Sequence, residues 1–181
     1  HNYKNEAQIL KIEHGNLIHE VRVNLVGKIQ LKNIMMAVIA ASKSNLDLQK
    51  IFSAIPKLSP VEGRFEKIGK IKNKSLVFLD YAHSPDALQT CIQNIKEQFP
   101  DNHISVLFGC GGDRDKGKRS KMGKIADKYA DKIYLTDDNP RYESPKKIRD
   151  EIKRGIKKHK ILEFSNRKEA IVKAISNLNT G

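Results

Sequence analysis

The sequence is poor in several residue types that would point to secretion, membrane insertion or base stacking. Its 181 residues include two cysteines, no tryptophan and only 6% aromatic residues. Two cysteines cannot build a disulfide framework, and neither Cys91 nor Cys110 lies in the CxxC spacing of a metal site. No apolar run is long enough to cross a bilayer, and the N-terminus lacks a basic and then apolar signal segment. We therefore predict a cytoplasmic monomer without a membrane contact or a metal site.

Positive charge dominates what is present. Lysine and arginine number 34 against 21 acidic residues, a formal net charge of +13. Such an excess suits nucleic acid, a membrane or a small anionic substrate. The lysines are spread along the chain, and few aromatic side chains are available to stack on bases. We expect most of the lysines to lie on solvated faces, and we expect the positive charge to favour binding of small anionic substrates. A basic nucleotide-binding or nucleic-acid-binding module is the non-enzyme alternative.

The first sixty residues predict a β-hairpin followed by two helices. Apolar and polar residues alternate over 7–12 and 17–25 on either side of a turn signal. Apolar residues then recur at helical spacing from Leu31 to Ile39, and a second short helix, 46–55, ends before a proline. A hairpin alone is marginally stable, so its partners are expected upstream or in another molecule, and the segment resembles the end of a domain that begins upstream. The Pro, Ser and Gly residues of 57–63 predict the boundary.

Strands and helices alternate in the remainder of the chain. The predicted strands are 76–79, 104–108, 133–135 and 161–164, and the predicted helices are 85–98, 117–130, 145–157 and 167–178. This order predicts an α/β fold with a doubly wound, mostly parallel sheet and helices on both faces. Polar residues follow two of the strands, at 113–119 and 136–141. Because the carboxyl ends of parallel strands meet at one edge, we expect a ligand site there.

The two polar loops carry suitable chemistry for a charged ligand. Glycines at 109, 111 and 112 permit close backbone approach to an anion or to another loop. Asp138, Asn139 and Arg141 present a carboxylate, an amide and a guanidinium on a segment that Pro140 stiffens. Such a loop suits a zwitterion, with the guanidinium on its carboxylate and the aspartate on its ammonium. The alternative is that this segment only forms a turn and a helix N-cap.

Four segments in fixed order closely resemble a known family. They are DYAHSPDAL at 80–88, FGCGGDRDKGKR at 108–119, MGKIAD at 122–127 and DDNPRYESP at 137–145. They resemble the C-terminal, Rossmann-like domain of the Mur ligases, and in particular the members that add meso-diaminopimelate to UDP-N-acetylmuramoyl-L-alanyl-D-glutamate. The resemblance implies an ATP-dependent amide ligase of peptidoglycan synthesis, serving cell wall biogenesis, cell shape and cell division. Related ligases for another amino acid, and folylpolyglutamate synthase, share the architecture and remain alternatives.

The resemblance also implies how the chain is divided. Residues 1–60 correspond to the end of a central ATP-binding domain, and residues 61–181 to an incomplete C-terminal domain. No GxxxxGK[ST] phosphate loop occurs in the sequence. The phosphate loop, the lysine carbamate that helps to hold Mg²⁺, and the uridine-binding domain are expected upstream, and a GKGHE-like motif downstream. We therefore expect a fragment that lacks ligase activity by itself.

For ATP, the resemblance implies a set of nucleotide-binding residues. Asn33 in GKIQLKN corresponds to an adenine contact, although Gln30 replaces the asparagine that is frequent there. Arg64 corresponds to a phosphate contact, Asp80 to a ribose contact, and His83 to a residue lining the nucleotide. From the residues alone, Arg64 would be a surface arginine and Asp80 a helix N-cap. A hydrolase triad around His83 is excluded because its partners lie within one turn and no GxSxG is present.

For diaminopimelate, the resemblance implies recognition by two arginines. Arg114 and Arg141 are expected to hold the distal carboxylate, with Pro140 shaping the loop. Asp138 and Asn139 are expected to hold the distal ammonium. Lysine as a substrate lacks that carboxylate and would be repelled by the arginines. The alternative for Arg114 is a weak surface cluster with its neighbouring aspartates.

Overall fold

The computed structural model describes residues 2–4, 7–71, 74–158 and 161–178. The chain divides into two compact units. One comprises 1–69 with 78–81, and the other comprises 70–77 with 82–181. Within the described ranges, every helix is too short or too polar to cross a bilayer.

The first unit begins with an antiparallel sheet. Strands β1 (Asn2–Lys4), β2 (Ala7–His14) and β3 (Leu17–Val23) pair in the order β1-β2-β3. The predicted hairpin is present, with Leu10 opposite Val21. Both of these side chains are buried, whereas the intervening Lys11 is exposed. The period-two alternation therefore gives the sheet one core face and one solvent face. Strand β1 was not predicted, because three residues are too short for an alternation.

Two helices cover the core face of this sheet. Helix α1 (Lys28–Lys43) and helix α2 (Leu48–Ala54) are followed by a 3₁₀ turn at Ile55–Lys57. Asp47 caps α2 by accepting a 3.0 Å hydrogen bond from Lys50 N. The buried side chains that join the helices to the sheet are Leu31, Ile34, Val38, Phe52 and Ile55.

A two-stranded sheet follows, formed by β4 (Glu66–Lys70) and β5 (Leu76–Leu79). Strand β5 has the predicted bounds, but it pairs with β4 instead of joining the parallel sheet. Strand β4 was not predicted. Its one apolar side chain, Ile68, is 58% exposed and is followed by a glycine, so the segment carries no alternating pattern.

The second unit contains a parallel sheet in the order β6-β7-β8. The strands are β6 (Ser105–Phe108), β7 (Lys132–Thr136) and β8 (Ile161–Phe164). The helices are α3 (Pro85–Gln98), α4 (Gly117–Tyr129), α5 (Pro145–Lys153) and α6 (Arg167–Ser176). Helix α5 ends four residues before the predicted end at 157. The chain leaves the helix there by tight turns, in which Gly155 N donates to Ile152 O at 3.0 Å and Ile156 N donates to Lys153 O at 2.9 Å.

Strand β7 is the centre of this unit, and both of its faces are covered. Ile133 and Leu135 are fully buried in the core formed with α4 and α5. Tyr134 points the other way, and its hydroxyl accepts a 3.1 Å hydrogen bond from Asn177, just beyond α6. Helix α6 packs against all three strands. The predicted α/β architecture with helices on both faces is confirmed, and burial of Ile133 and Leu135 contributes roughly 1.5–3 kcal/mol each.

Candidate functional site

The loops that follow β6 and β7 are joined by hydrogen bonds at the carboxyl edge of the sheet. Gly112 N donates to Asn139 O at 2.8 Å. Asp113 N donates to Glu143 Oε1 at 2.6 Å, and Tyr142 N donates to Asp113 Oδ2 at 3.2 Å. The two polar loops thus meet as the parallel topology predicts.

The glycines serve this close approach. A Cβ at Gly112 would overlap the carbonyl group of Pro140, and a Cβ at Gly109 would overlap the carbonyl oxygen of Thr136. Asp113 and Arg141 both have φ of 49°, in the left-handed region, at a cost of roughly 1–2 kcal/mol each. Backbone conformation in both loops is therefore tightly constrained around the point where they touch.

Arg141 is anchored at one corner of its guanidinium. Its Nη1 donates to Gly112 O at 2.7 Å, and its backbone N donates to Asn139 Oδ1 at 3.2 Å. The residue as a whole is exposed. A guanidinium has five N–H donors, so the anchored side chain keeps donors for a carboxylate ligand.

The neighbouring Asp138 and Asn139 have different capacities. Asp138 is exposed, and its Oδ1 accepts a hydrogen bond from Asn139 N at 2.9 Å. The second carboxylate oxygen, Oδ2, remains available to a ligand. Asn139 Oδ1 is engaged by Arg141 N, so its outward group is the Nδ2 donor. A donor suits a carboxylate better than an ammonium. Asp138 therefore offers a carboxylate oxygen and Asn139 an amide donor, and the shared ammonium role expected from sequence stays a prediction.

Arg114 lies directly after Asp113, on the loop that touches the Arg141 loop. It is exposed, and among the described residues it makes no ion pair or hydrogen bond. Its neighbours have other partners, because Asp113 accepts from Tyr142 N and Asp115 accepts from Gly117 N at 2.8 Å. The alternative of a surface cluster between Arg114 and these aspartates is not observed.

A buried arginine behind the loops was missed in the sequence. Arg119, on α4, has a side chain with 0% exposure. It donates to Glu143 at 2.7 and 3.0 Å, to Glu151 at 2.7 Å and to Gly111 O at 3.3 Å. Its position three residues before buried Met122 was a usable signal, because both lie on one helix face.

This arginine lowers the pKa of Glu143. The hydrogen bond from Arg119 is the main cause that lowers the pKa of Glu143 from 4.5 to about 2, and the N–H of Asp113 adds to it. Lys116 lies 3.7 Å from the same carboxylate. Glu143 therefore stays ionised at pH values below 4.5, where an ordinary glutamate becomes protonated.

A second arginine holds the start of the same loop. Arg149, on α5, forms an ion pair with Asp137, and its Nε donates to Glu163 at 2.7 Å. Lys153 pairs with Glu163 from the next turn of the helix at 2.7 Å. The segment that carries Arg141 is therefore held by α5 at its beginning and by α4 at its end.

Cys110 lies beneath the loops and is not suited to nucleophilic chemistry. It is buried, with its Sγ 3.6 Å from Met122 Sδ. Burial is the main cause that raises the pKa of its thiol to about 11, so the reactive thiolate is scarce at neutral pH.

The residues that the resemblance assigned to adenine, phosphate and ribose contacts lie along one hydrogen-bonded chain in the first unit. Asn33 Nδ2 donates to Gln30 Oε1 at 3.4 Å, and Gln30 Nε2 donates to Arg64 O at 3.2 Å. Phe65 N in turn donates to Asp80 Oδ2 at 2.8 Å. Asn33, Arg64 and Asp80 are thereby brought together although they are distant in sequence.

One of the two expectations based on residue type alone differs from the structure. Asp80 does not cap α3, because Ser84 does so by accepting from Ala87 N at 3.3 Å. Arg64 is exposed as expected, but its guanidinium lies 5.2 Å from the ring centre of Tyr81. His83 belongs to the second unit, where its carbonyl oxygen accepts from Lys118 Nζ at 2.8 Å.

The described part of the chain contains no group of three or more His, Cys, Asp or Glu residues placed to hold a metal ion. The expectation that Mg²⁺ is held by residues upstream of this chain therefore stays a prediction.

Comparison with known proteins identifies the family. A family model described as "Mur ligase, glutamate ligase domain" matches residues 63–181. The UDP-N-acetylmuramoyl-L-alanyl-D-glutamate--2,6-diaminopimelate ligase of Rickettsia felis is 41% identical over 174 residues, covering 96% of this chain and 32% of that protein. A solved structure of a ligase with that name aligns at 34% identity with a TM-score of 0.70, covering 99% of this chain and 37% of that one.

A more distant match shows the fold alone. Mycobacterium tuberculosis folylpolyglutamate synthase is 18% identical with a TM-score of 0.74, and the alignment covers 96% of this chain and 39% of that one. The chain spans about a third of the length of the curated relatives it matches. With the family match extending over residues 63–181, the chain belongs to the Mur ligase family.

Proposed function

We propose that this chain is the C-terminal part of a cytoplasmic ATP-dependent ligase that joins meso-diaminopimelate to UDP-N-acetylmuramoyl-L-alanyl-D-glutamate. Residues 1–60 would end the central ATP-binding domain, and residues 61–181 would belong to the C-terminal domain. The name of the 41% identical relative supports the reaction. One observation supports placing the amino acid at this site. Arg141 is anchored to Gly112 O by one N–H group, and its other N–H groups remain for a ligand.

The proposed reaction has two steps. The D-glutamate γ-carboxylate attacks the γ-phosphorus of ATP, which forms an acyl phosphate and releases ADP. An amine of diaminopimelate then attacks the acyl carbon, and inorganic phosphate leaves as the amide forms. The part played by this chain is to hold the amino acid with its reacting amine in place, since positioning supplies much of the rate in such transfers. Mg²⁺ would neutralise phosphate charge, with ligands outside the residues described here.

The distal end of diaminopimelate is a zwitterion that matches the paired loops. Its carboxylate would face Arg114, Arg141 and the Nδ2 group of Asn139, and its ammonium would face Asp138. Pro140 restricts the backbone between Asn139 and Arg141, which limits the positions that their side chains can take. L-Lysine carries only the ammonium at that end, so it would meet the two arginines without a carboxylate to bind them.

The nucleotide would lie against the first unit. We assign Asn33 to adenine, Arg64 to the phosphates and Asp80 to the ribose. The nucleotide-lining role of His83, which belongs to the second unit, stays a prediction from the resemblance. The hydrogen-bonded chain from Asn33 to Arg64 supports a common site. Asp80 uses one carboxylate oxygen for Phe65 N, which leaves the other for a ribose hydroxyl.

The test is tripeptide formation by the full-length enzyme that carries this chain. Wild-type enzyme is expected to use diaminopimelate with ATP and to reject L-lysine. Arg141→Met should raise KM for diaminopimelate roughly 10- to 100-fold, the effect of losing a hydrogen bond to a charged group. Arg154→Met, at an exposed arginine just after α5, is the matched control and should leave KM unchanged.

Other outcomes would favour the alternatives. Unchanged diaminopimelate use by Arg141→Met would place the pocket elsewhere, and use of another amino acid or of folate would indicate a related ligase. Residues 1–181 alone should form no tripeptide. Retention of the chain on DNA that falls steeply with salt would favour a nucleic-acid-binding module.

A further inference from the structure

Two successive carbonyl oxygens of the glycine loop are held by two different arginines. The buried Arg119 donates to Gly111 O at 3.3 Å, and the exposed Arg141 donates to Gly112 O at 2.7 Å. The orientation of Arg141 therefore depends on a loop whose preceding peptide is fixed from inside the protein.

Glu143 connects this buried arginine to both loops at once. Its Oε1 accepts from Arg119 Nη2 at 2.7 Å and from Asp113 N at 2.6 Å, while Oε2 accepts from Arg119 Nη1 at 3.0 Å. Glu143 N also donates to Pro140 O at 3.0 Å, which closes the turn containing Arg141. One carboxylate thus ties α4 to the loop after β6 and to the loop after β7.

Stability alone is a poor explanation for this arrangement. Buried ion pairs can be replaced by well-packed apolar residues at little or no loss of stability, because desolvation offsets their attraction. Arg119 also carries a desolvated Nε with no hydrogen-bond partner among the described residues. The Arg119–Glu143 pair adds little to stability but joins both ligand loops. Its presence is therefore better explained if it fixes the positions of the two loops.

We propose that Arg119 and Glu143 are positioning residues for the amino acid: they hold the two loops so that Arg141 meets the distal carboxylate of diaminopimelate. This inference rests on the proposed function. Neither residue contacts the ligand in this scheme. Glu151 pairs with Arg119 as well, at 2.7 Å, but has no hydrogen bond to either loop among the described residues, so it provides a built-in comparison.

The experiment compares Glu143→Ala with Glu151→Ala in the full-length enzyme. Each variant removes one of the two carboxylates that pair with Arg119, but only Glu143→Ala also releases Asp113 N. We expect Glu143→Ala to raise KM for diaminopimelate about 10-fold or more, with KM for ATP unchanged and kcat at saturating diaminopimelate within about threefold. Glu151→Ala should lower Tm comparably but leave KM for diaminopimelate within about threefold of wild type.

A conservative variant separates positioning from folding. Glu143→Gln keeps an oxygen for Asp113 N and should recover part of the lost affinity, giving KM values in the order Ala, Gln, wild type. If Glu143→Ala does not fold, Glu143→Gln alone still tests the proposal. An unchanged KM for diaminopimelate in Glu143→Gln would contradict it.

The outcomes distinguish this inference from the proposed function. Equal KM values for Glu143→Ala and Glu151→Ala, at equal loss of Tm, would mean that the pair only stabilises the fold. Wild-type enzyme that does not use diaminopimelate at all would instead overturn the proposed function.

Discussion

Arg141 Nη1 lies 2.7 Å from the carbonyl oxygen of Gly112, a residue 29 positions earlier in the chain. This contact joins the loop after β6 to the loop after β7 through the side chain proposed to bind the ligand. If Arg141 binds the ligand as proposed, a change in the glycine loop is expected to alter ligand binding through Arg141.

Neighbouring glycines should respond very differently to alanine. A Cβ at Gly111 would lie 2.9 Å from Arg141 Nη1, which belongs to a long side chain that can rotate away. Gly111→Ala should therefore leave Tm nearly unchanged but raise KM for diaminopimelate roughly 10-fold by displacing the guanidinium. Gly112→Ala would place its Cβ against the backbone of Pro140, so it should lower Tm by several degrees. Equal effects of the two substitutions on Tm and KM would contradict this assignment.

The fall of Tm at acid pH should depend on the lowered pKa of Glu143. Its pKa is about 2 in the folded protein and 4.5 ordinarily, so its contribution is complete above pH 4.5 and is lost as pH falls toward 2. Arg119, Lys116 and the N–H of Asp113 are the groups that face it. Glu143→Gln should therefore show a smaller fall of Tm between pH 4.5 and pH 3 than wild type does.

Asp150 provides the control for this measurement. Its pKa is also lowered to about 2, mainly by a hydrogen bond from Lys146, whose side chain is 73% exposed. Salt at about 0.5 M should screen this exposed pair but change the buried pairing of Glu143 little. A difference between Glu143→Gln and wild type that disappears in salt would contradict the buried origin of the effect.

The two cysteines should differ in reactivity. Burial raises the pKa of the Cys110 thiol to about 11, whereas Cys91 is only partly buried on α3. At pH 8 a maleimide is expected to label Cys91 at least about tenfold faster than Cys110, with Cys110 reacting only after denaturation. Peptide mass spectrometry gives the rates. Rapid labelling of native Cys110 would show that the loops above it open readily.

Gln30 links the proposed adenine and phosphate contacts. Its Nε2 reaches Arg64 O at 3.2 Å, and Gln30→Asn would shorten the side chain by one methylene. We expect KM for ATP to rise about two- to tenfold, the value of one neutral hydrogen bond. Gln49→Asn, at an exposed position on α2, is the matched control. An unchanged or lower KM for ATP would mean that the link does not organise the nucleotide site.

Most elements with a strong local pattern were predicted within a few residues. Helix α3 and strands β5 and β8 have the predicted bounds, because apolar periodicity and helix-ending residues act over short distances. Strand β4 was missed because it has one apolar side chain and therefore no alternating pattern. Its pairing with β5 stabilises it as a strand. The pairing of β5 with β4 crosses only residues 71–75, but it was missed because β4 itself carries no recognisable strand pattern.

For the site, the motifs alone were enough to indicate the two loops, the residues that carry charge and the family. Those properties follow from local residue types, glycine conformations and the alternation of strands and helices. Folding in three dimensions decided which atoms remain for a ligand: Arg141 Nη1 donates to Gly112 O, and Arg119 turns inward to Glu143. These two contacts join residues 29 and 24 positions apart, and they depend on burial, which a linear pattern does not specify.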